Sequence, residues 1–278
     1  MGWRFAFNRR WFGYLAAAIV FAIACVLLSQ WQFARRDEAV AEIDRVANNF
    51  DAAPISVDEA LPKLTSFDED TKWLPVSLTG EYLVDDQLLV RNRPYNGDAG
   101  FEVLTPLLLD NGKVFIVDRG WLPTGSTDAG PDAVPAPPNG EVTVVARLKA
   151  GEPSIVGRSA PAGQVATIQL GDISKLIDHP MYTGAYGLLA SEDPAVSDMP
   201  APTIKPVPDE GPHLSYAVQW IVFALFGFLG LGYALRQEYR LVNADDPDER
   251  ARAAIRLDKA SRRKPTDAEI EDELIGTR

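Results

Sequence analysis

Histidine and cysteine are scarce in this chain, with 2 and 1 copies in 278 residues, and their positions bound the chemistry open to it. Nucleophilic catalysis needs a nucleophile, a base and an orienting group in one place. Here Cys25 lies inside a long apolar run, His179 precedes Pro180 in a loop-like segment, His213 heads a second apolar run, and no GxSxG pattern occurs. A zinc or copper centre would draw on the same side chains, and there is no CxxxC pair. The expectation is a protein that binds rather than catalyses, with no zinc or copper site.

His213 is the histidine with the most to offer. Tyr216 and Trp220 follow it at helical spacing on one face, with Gly227 deeper on the same face. A neutral imidazole can ligate haem iron, the two aromatic rings offer flat apolar surface to a porphyrin, and nearby arginines suit its propionates. The same residues also read as an interfacial anchor, with Gly227 and Gly230 allowing close helix packing. Two further clusters, Arg91-Asn92-Arg93-Pro94-Tyr95 and Asp118-Arg119-Gly120-Trp121, each follow a strand-like run. Their arginines suit bidentate contacts with carboxylates, from a ligand or from the chain itself.

Two apolar runs must position these groups. Residues 11–33 are apolar or small apart from Ser29, Gln30 and Gln32, and residues 214–235 form a second such run. About 20 residues cross a bilayer core of about 30 Å, so both runs predict membrane spans, and antiparallel pairing would bring Ser29 and Gln30 near the depth of His213. The first run exceeds a signal-peptide core and lacks a small-x-small cleavage site, so it is expected to be retained. Arg4, Arg9 and Arg10 before the first span, and Arg236 and Arg240 after the second, place both termini in the cytoplasm. The division is then a cytoplasmic segment 1–10, spans 11–33 and 214–235, an extracytoplasmic domain 34–190, a proline-rich tether 191–213 and a cytoplasmic charged tail 236–278. Pro247-Asp248-Glu249 marks a helix start in that tail, running toward Lys264.

The middle of the chain carries a net charge of roughly −15, which argues against nucleic acid as a partner. Val40, Ile43, Val46 and Phe50 continue the first helix outward, and a short helix is expected at 56–64. Short β-rich runs follow at 73–82, 87–92, 101–109, 113–118 and 141–148, then 165–170 and 184–189 with a short helix at 173–177 between them. The fold class is a membrane α+β protein: two transmembrane helices near the termini flanking an extracytoplasmic antiparallel β-sheet or small β-barrel with short helices.

Six segments in order carry a resemblance: Trp31-Gln32 with Arg35, Gly80-Glu81-Tyr82, Asn92-Arg93-Pro94, Val103-Leu104-Thr105-Pro106-Leu107, Arg119-Gly120-Trp121-Leu122-Pro123, and His213-Leu214-Ser215-Tyr216-Ala217. Together they look like the signatures of the Surfeit-locus family of cytochrome c oxidase assembly proteins, known in yeast as Shy. The resemblance implies an assembly factor for an aa3-type oxidase, acting at the outer boundary of a bacterial plasma membrane. It implies transient haem a as cofactor, with His213 as the matching iron ligand beside Tyr216 and Trp220. Its expected partners are the oxidase subunits, chiefly the haem-bearing catalytic subunit, then a respiratory supercomplex and the lipid bilayer. Gln32, Arg35, Arg93, Pro94, Arg119, Gly120 and Trp121 carry over as motif or partner-facing residues. A permanent accessory subunit of the oxidase or supercomplex is the alternative, and an outer-face sensor domain a weaker third reading.

Overall fold

The computed structural model describes residues 2–127 and 129–262, so the end of the expected tail, 263–278, lies outside the described residues. The chain divides into two compact units, one made from its two ends and one from residues 38–210.

The first unit is built on α1 (Arg9–Asn49) and α4 (His213–Val242), both long and apolar enough to cross a membrane. They pair antiparallel: the Ser29 hydroxyl donates to the Ala217 carbonyl at 3.0 Å, Phe21 packs beside Gly227, and Arg10 pairs with Glu238. The contact stripe holds small residues, with Cys25, Ser29 and Ala217 all buried, which lets the backbones approach closely. Phe12, Ile19, Val20, Ile23, Val218, Phe226 and Leu229 point outward and are exposed. The pair thus combines a small-residue seam with an exposed apolar outside. After α4, α5 (Pro247–Ser261) starts where Pro247, Asp248 and Glu249 predicted.

In the second unit, β1 (Ile55–Ser56) and the short α2 (Val57–Ala60), which covers only part of the helix expected at 56–64, precede the main strands. Of these, β2 (Pro75–Tyr82), β4 (Asp98–Leu109), β5 (Val114–Pro123), β6 (Glu141–Ala150) and β8 (Ala185–Asp193) pair in the order β2-β6-β8-β5-β4. A second pairing of β2 with β4 closes the ring into a five-stranded barrel. Where an antiparallel sheet was expected, β5 and β8 run parallel, Val117 beside Gly187. The reason is topological, since an odd-membered ring cannot alternate direction all the way round. In chain order the strands follow 1-2-3-5-4-1, the Greek-key order of an OB-type barrel, a scaffold that by itself assigns no function. Gly80 sits where β2 swings from β6 to β4, and a Cβ there would lie 2.1 Å from the Leu108 carbonyl oxygen. Closure therefore requires the missing side chain.

The barrel interior is filled by alternate residues such as Val76, Leu78, Leu107, Phe115, Val117, Val144 and Leu148. A second core lies outside the barrel wall, where Leu104, Ile116 and Tyr186 meet Val46 and Phe50 at the end of α1, Val90 of β3 (Leu88–Tyr95) and Ile173 of α3 (Leu170–Ile173). Two expectations shift here. The run at 165–170 forms only the short β7 (Gln164–Val165), and the helix begins earlier than 173 because the Gln169 side chain accepts the Asp172 N–H and caps it. The expected tether from 191 is strand as far as Asp193, and the following segment lies along the barrel. Trp121 and Ala201 exchange two backbone hydrogen bonds of 2.8 Å, the Tyr95 hydroxyl donates to the Pro202 carbonyl, and Lys205 pairs with Asp51.

Candidate functional site

Two β-bulges flank Glu102 of β4 and decide which side chains meet around it. On β5, Trp121 lies opposite Glu102 and Asp118 opposite Leu104, so three residues of β5 match two of β4. On β3, Val90 lies opposite Glu102 and Arg93 opposite Gly100, the same mismatch. Strand side chains alternate faces, so each extra residue returns two side chains of opposite parity to one face. Asp118 and Trp121 are thereby brought together, as are Val90 and Arg93. The chain chemistry permits this: Asn92 holds a left-handed φ of 57°, which Asn tolerates, and Gly120 holds φ 129° with the Ala201 oxygen 2.4 Å from where a Cβ would be.

The resulting cluster is densely charged. The Arg93 guanidinium binds Glu102 through Nε at 2.5 Å and Glu152 through Nη2 at 2.5 Å and Nη1 at 3.1 Å. Burial pushes the Glu152 carboxyl up, but the Arg93 bonds and the Ile168 N–H outweigh it and hold it below the usual range. The Trp121 indole donates to the Arg93 carbonyl at 2.8 Å and stacks on Tyr95 with ring centres 5.0 Å apart. Asp118 is 2% exposed. Burial, then the Glu102 charge, raise its carboxyl well above the ordinary range, although the Gly120 N–H at 3.0 Å and the charges of Lys149 and Arg93 oppose this. A buried acid with a raised carboxyl beside aromatic rings and a cleft is a common functional arrangement.

Arg119 turns the other way, into the end of the barrel, on the face of Val117. It is fully buried, donating to the Pro135 carbonyl at 2.8 Å and to Glu192 Oε1 at 3.2 Å, with its guanidinium 5.7 Å from the Tyr82 ring centre. Tyr82 donates to the other oxygen of Glu192 at 2.9 Å, and burial followed by that carboxylate raises its phenol. The proline-rich loop at 124–140 thus serves as a lid on an internal ion pair.

In the helical unit, His213 Nδ1 lies 2.9 Å from Gln32 Oε1. An amide oxygen accepts, so Nδ1 carries the proton and the lone pair of a neutral imidazole falls on Nε2. Gln32, rather than the expected Gln30, is the polar partner, since Gln30 is exposed. Trp220 is half-buried on the seam that also holds Ala217, whereas Tyr216 is 47% exposed and stands off it. Arg35 follows Gln32 by three residues along α1.

A family model described as the SURF1 family matches residues 19–225. The chain belongs to the SURF1 family. Uncharacterized SURF1-like proteins of Mycobacterium bovis and Mycobacterium tuberculosis are each 34% identical over 238 residues, covering 82% of this chain and 85% of the relative. A protein named cytochrome oxidase assembly protein, from Saccharomyces cerevisiae, is 35% identical over 65 residues, 22% of this chain and 17% of its own.

The recurring words of this SURF1-family chain thus acquire physical content. Gly80 closes the barrel, Asn92 and Gly120 sit in the bulges, Arg93 and Trp121 lock β3 to β5 across β4, and Arg119 plugs the barrel. The structure brings Arg93, Pro94, Gly120 and Trp121 together and Gln32 with His213, while Arg119 is sealed inside. In the sequence Tyr95 and Asp118 stand only as members of the two arginine clusters, and Glu102, Glu152 and Glu192 carry no signal of their own. Their partners lie far along the chain, as with Arg93 and Glu152 at 59 residues or Arg119 and Glu192 at 73, and only the alternation of strand residues could have flagged them.

Proposed function

We propose that this protein is a non-catalytic assembly factor of an aa3-type cytochrome c oxidase. It is anchored by α1 and α4 in a bacterial plasma membrane, with both termini cytoplasmic and the barrel outside. Family membership, with a yeast relative named for oxidase assembly, supports the role. Arg4 before α1, Arg9 and Arg10 at its start, and Arg236 and Arg240 late in α4 support the orientation.

The haem part of the reading rests on one observation, the His213–Gln32 pair. Metal-ligating imidazoles characteristically donate their second N–H to an oxygen that fixes tautomer and ring orientation, and Gln32 does this for His213. Nε2 makes no hydrogen bond among the described residues, and Trp220 supplies an adjacent apolar face. These residues fit haem a: His213 would hold its iron and Gln32 would orient the imidazole. The haem would bring the redox centre destined for the catalytic subunit, while this chain would bind and release it.

Detergent-purified protein is expected to show a haem a spectrum that His213→Ala abolishes and Gln32→Ala weakens. An unchanged spectrum in His213→Ala removes the ligand assignment. Tagged protein is expected to travel with haem-poor catalytic subunit. Stoichiometric recovery with mature, active oxidase, alone or in a supercomplex, would instead make it an accessory subunit, and recovery without any oxidase would favour a sensor.

A further inference from the structure

Glu102, Asp118, Tyr95 and Trp121 line a cleft of about 250 Å³, closed on its far side by residues 201–204. Small-molecule pockets usually measure roughly 300–1,000 Å³, so its size suits a single side chain rather than a free cofactor. The charges around it do not balance. One guanidinium, Arg93, serves two carboxylates, Glu102 and Glu152, and the ammonium of Lys149 lies 5.9 Å from the Tyr186 ring centre. The third carboxyl, Asp118, has the Gly120 N–H on Oδ1 and no hydrogen bond on Oδ2 among the described residues, although it is 98% removed from solvent (2% exposed) and lines the cleft. The cluster is therefore one cation short, and it opens at that point. The stacked rings of Tyr95 and Trp121 offer the kind of wall on which a cationic head rests.

We propose that this cleft binds the basic side chain of a partner protein, an ammonium or guanidinium that lies against Tyr95 and Trp121 and pairs with Asp118. A divalent metal fits less well, because no group of three or more His, Cys, Asp or Glu among the described residues is arranged to hold one. An anion is disfavoured by Glu102 and by the acidity of the whole unit. The site is independent of haem, since its residues belong to the barrel unit. Every charged or titratable group that the structure sets against Asp118 bears on its protonation: Arg93 from β3, Glu102 from β4, Lys149 from β6, Glu152 just after it and Tyr186 from β8. Burial and Glu102 favour the protonated form of this carboxyl, and a cation beside it favours the ionised form. Cation binding and loss of the Asp118 proton are therefore coupled.

Titration calorimetry on the full chain in detergent tests this, using capped Gly-Arg-Gly and Gly-Lys-Gly peptides and the neutral Gly-citrulline-Gly. At least one basic peptide is expected to bind saturably and with net proton release, read from two buffers of different ionisation enthalpy. Citrulline is expected not to bind. Asp118→Asn replaces the carboxyl by an amide of the same shape, so it should fold, abolish proton release and weaken binding roughly 10- to 100-fold, the worth of one charged hydrogen bond. No saturable binding, equal binding by citrulline, binding without proton release, or unchanged behaviour in Asp118→Asn would each overturn the proposal. The first three need no variant, so a misfolded one would not protect it.

Discussion

Replacing Arg119 by Met tests whether the barrel is held shut from inside by an ion pair. The side chains of Arg119 and Glu192 are 0% and 1% exposed, so solvent screens neither. Removing the guanidinium would leave the Glu192 carboxylate with the Tyr82 hydroxyl alone, and would leave the Pro135 carbonyl without its donor. Stranding one member of a buried pair costs about 3–5 kcal/mol. In a domain of this size each kcal/mol lowers the melting temperature by about 2–4 °C, so Arg119→Met should melt roughly 6–20 °C lower by circular dichroism in detergent. The double variant Arg119→Met with Glu192→Gln removes the stranded charge and keeps an acceptor for Tyr82. It should recover at least about 1 kcal/mol of the loss, the coupling expected of groups in contact. If the double variant is as unstable as the single one, the plug is a packing element and the electrostatic reasoning fails.

Gly80→Ala should cost about 3 kcal/mol or more, because its Cβ would meet the Leu108 carbonyl at 2.1 Å; a urea midpoint within error of the parent would refute barrel closure at that point. Asn92→Gly should be nearly neutral and Asn92→Val should lose about 1–2 kcal/mol, as a β-branched residue at φ 57° requires; equal melting of the two would remove the bulge argument. Asp118→Asn should stabilise the free protein. The wild-type acid is raised in the fold, so wild-type stability falls as pH rises above the unfolded value of about 3.9, and the gain from the amide should grow with pH until the folded acid ionises.

How far the sequence could be read depended on the range of the interaction. The two long helices, the outward continuation of α1 and most strands were legible, because apolar run length and alternation are local signals. The exposed apolar outsides of α1 and α4 match them directly. Barrel closure was half legible: strand count allowed a barrel, but the contact of Gly80 with Leu109 that closes it joins residues with no local signature. The segment after 191 read as tether because prolines resist regular pairing, yet a single bridge at Ala201 and the Lys205–Asp51 pair suffice to lay it on the barrel. Depth alone does not separate Gln30 from Gln32 as the neighbour of His213. The seam repeats along α1 at Cys25, Ser29 and Gln32, and a helix position one residue away turns about 100° from it.

The bulge on β5 ties the two polar systems together. One extra residue between Asp118 and Trp121 sends Arg119 inward to Glu192 while Asp118 and Trp121 face the cleft. Interior plug and exterior site therefore share one backbone irregularity, and Gly120 permits it by accepting both φ 129° and the nearby Ala201 carbonyl. A side chain at Gly120 would push the 201–204 segment off β5, opening the cleft at the same time as it strains the strand that holds Arg119. Stability and recognition should thus fall together at Gly120, yet separate at Glu192, which touches only the plug, and at Asp118, which touches only the cleft. That pattern distinguishes a bulge that aims side chains from one that merely ends a strand.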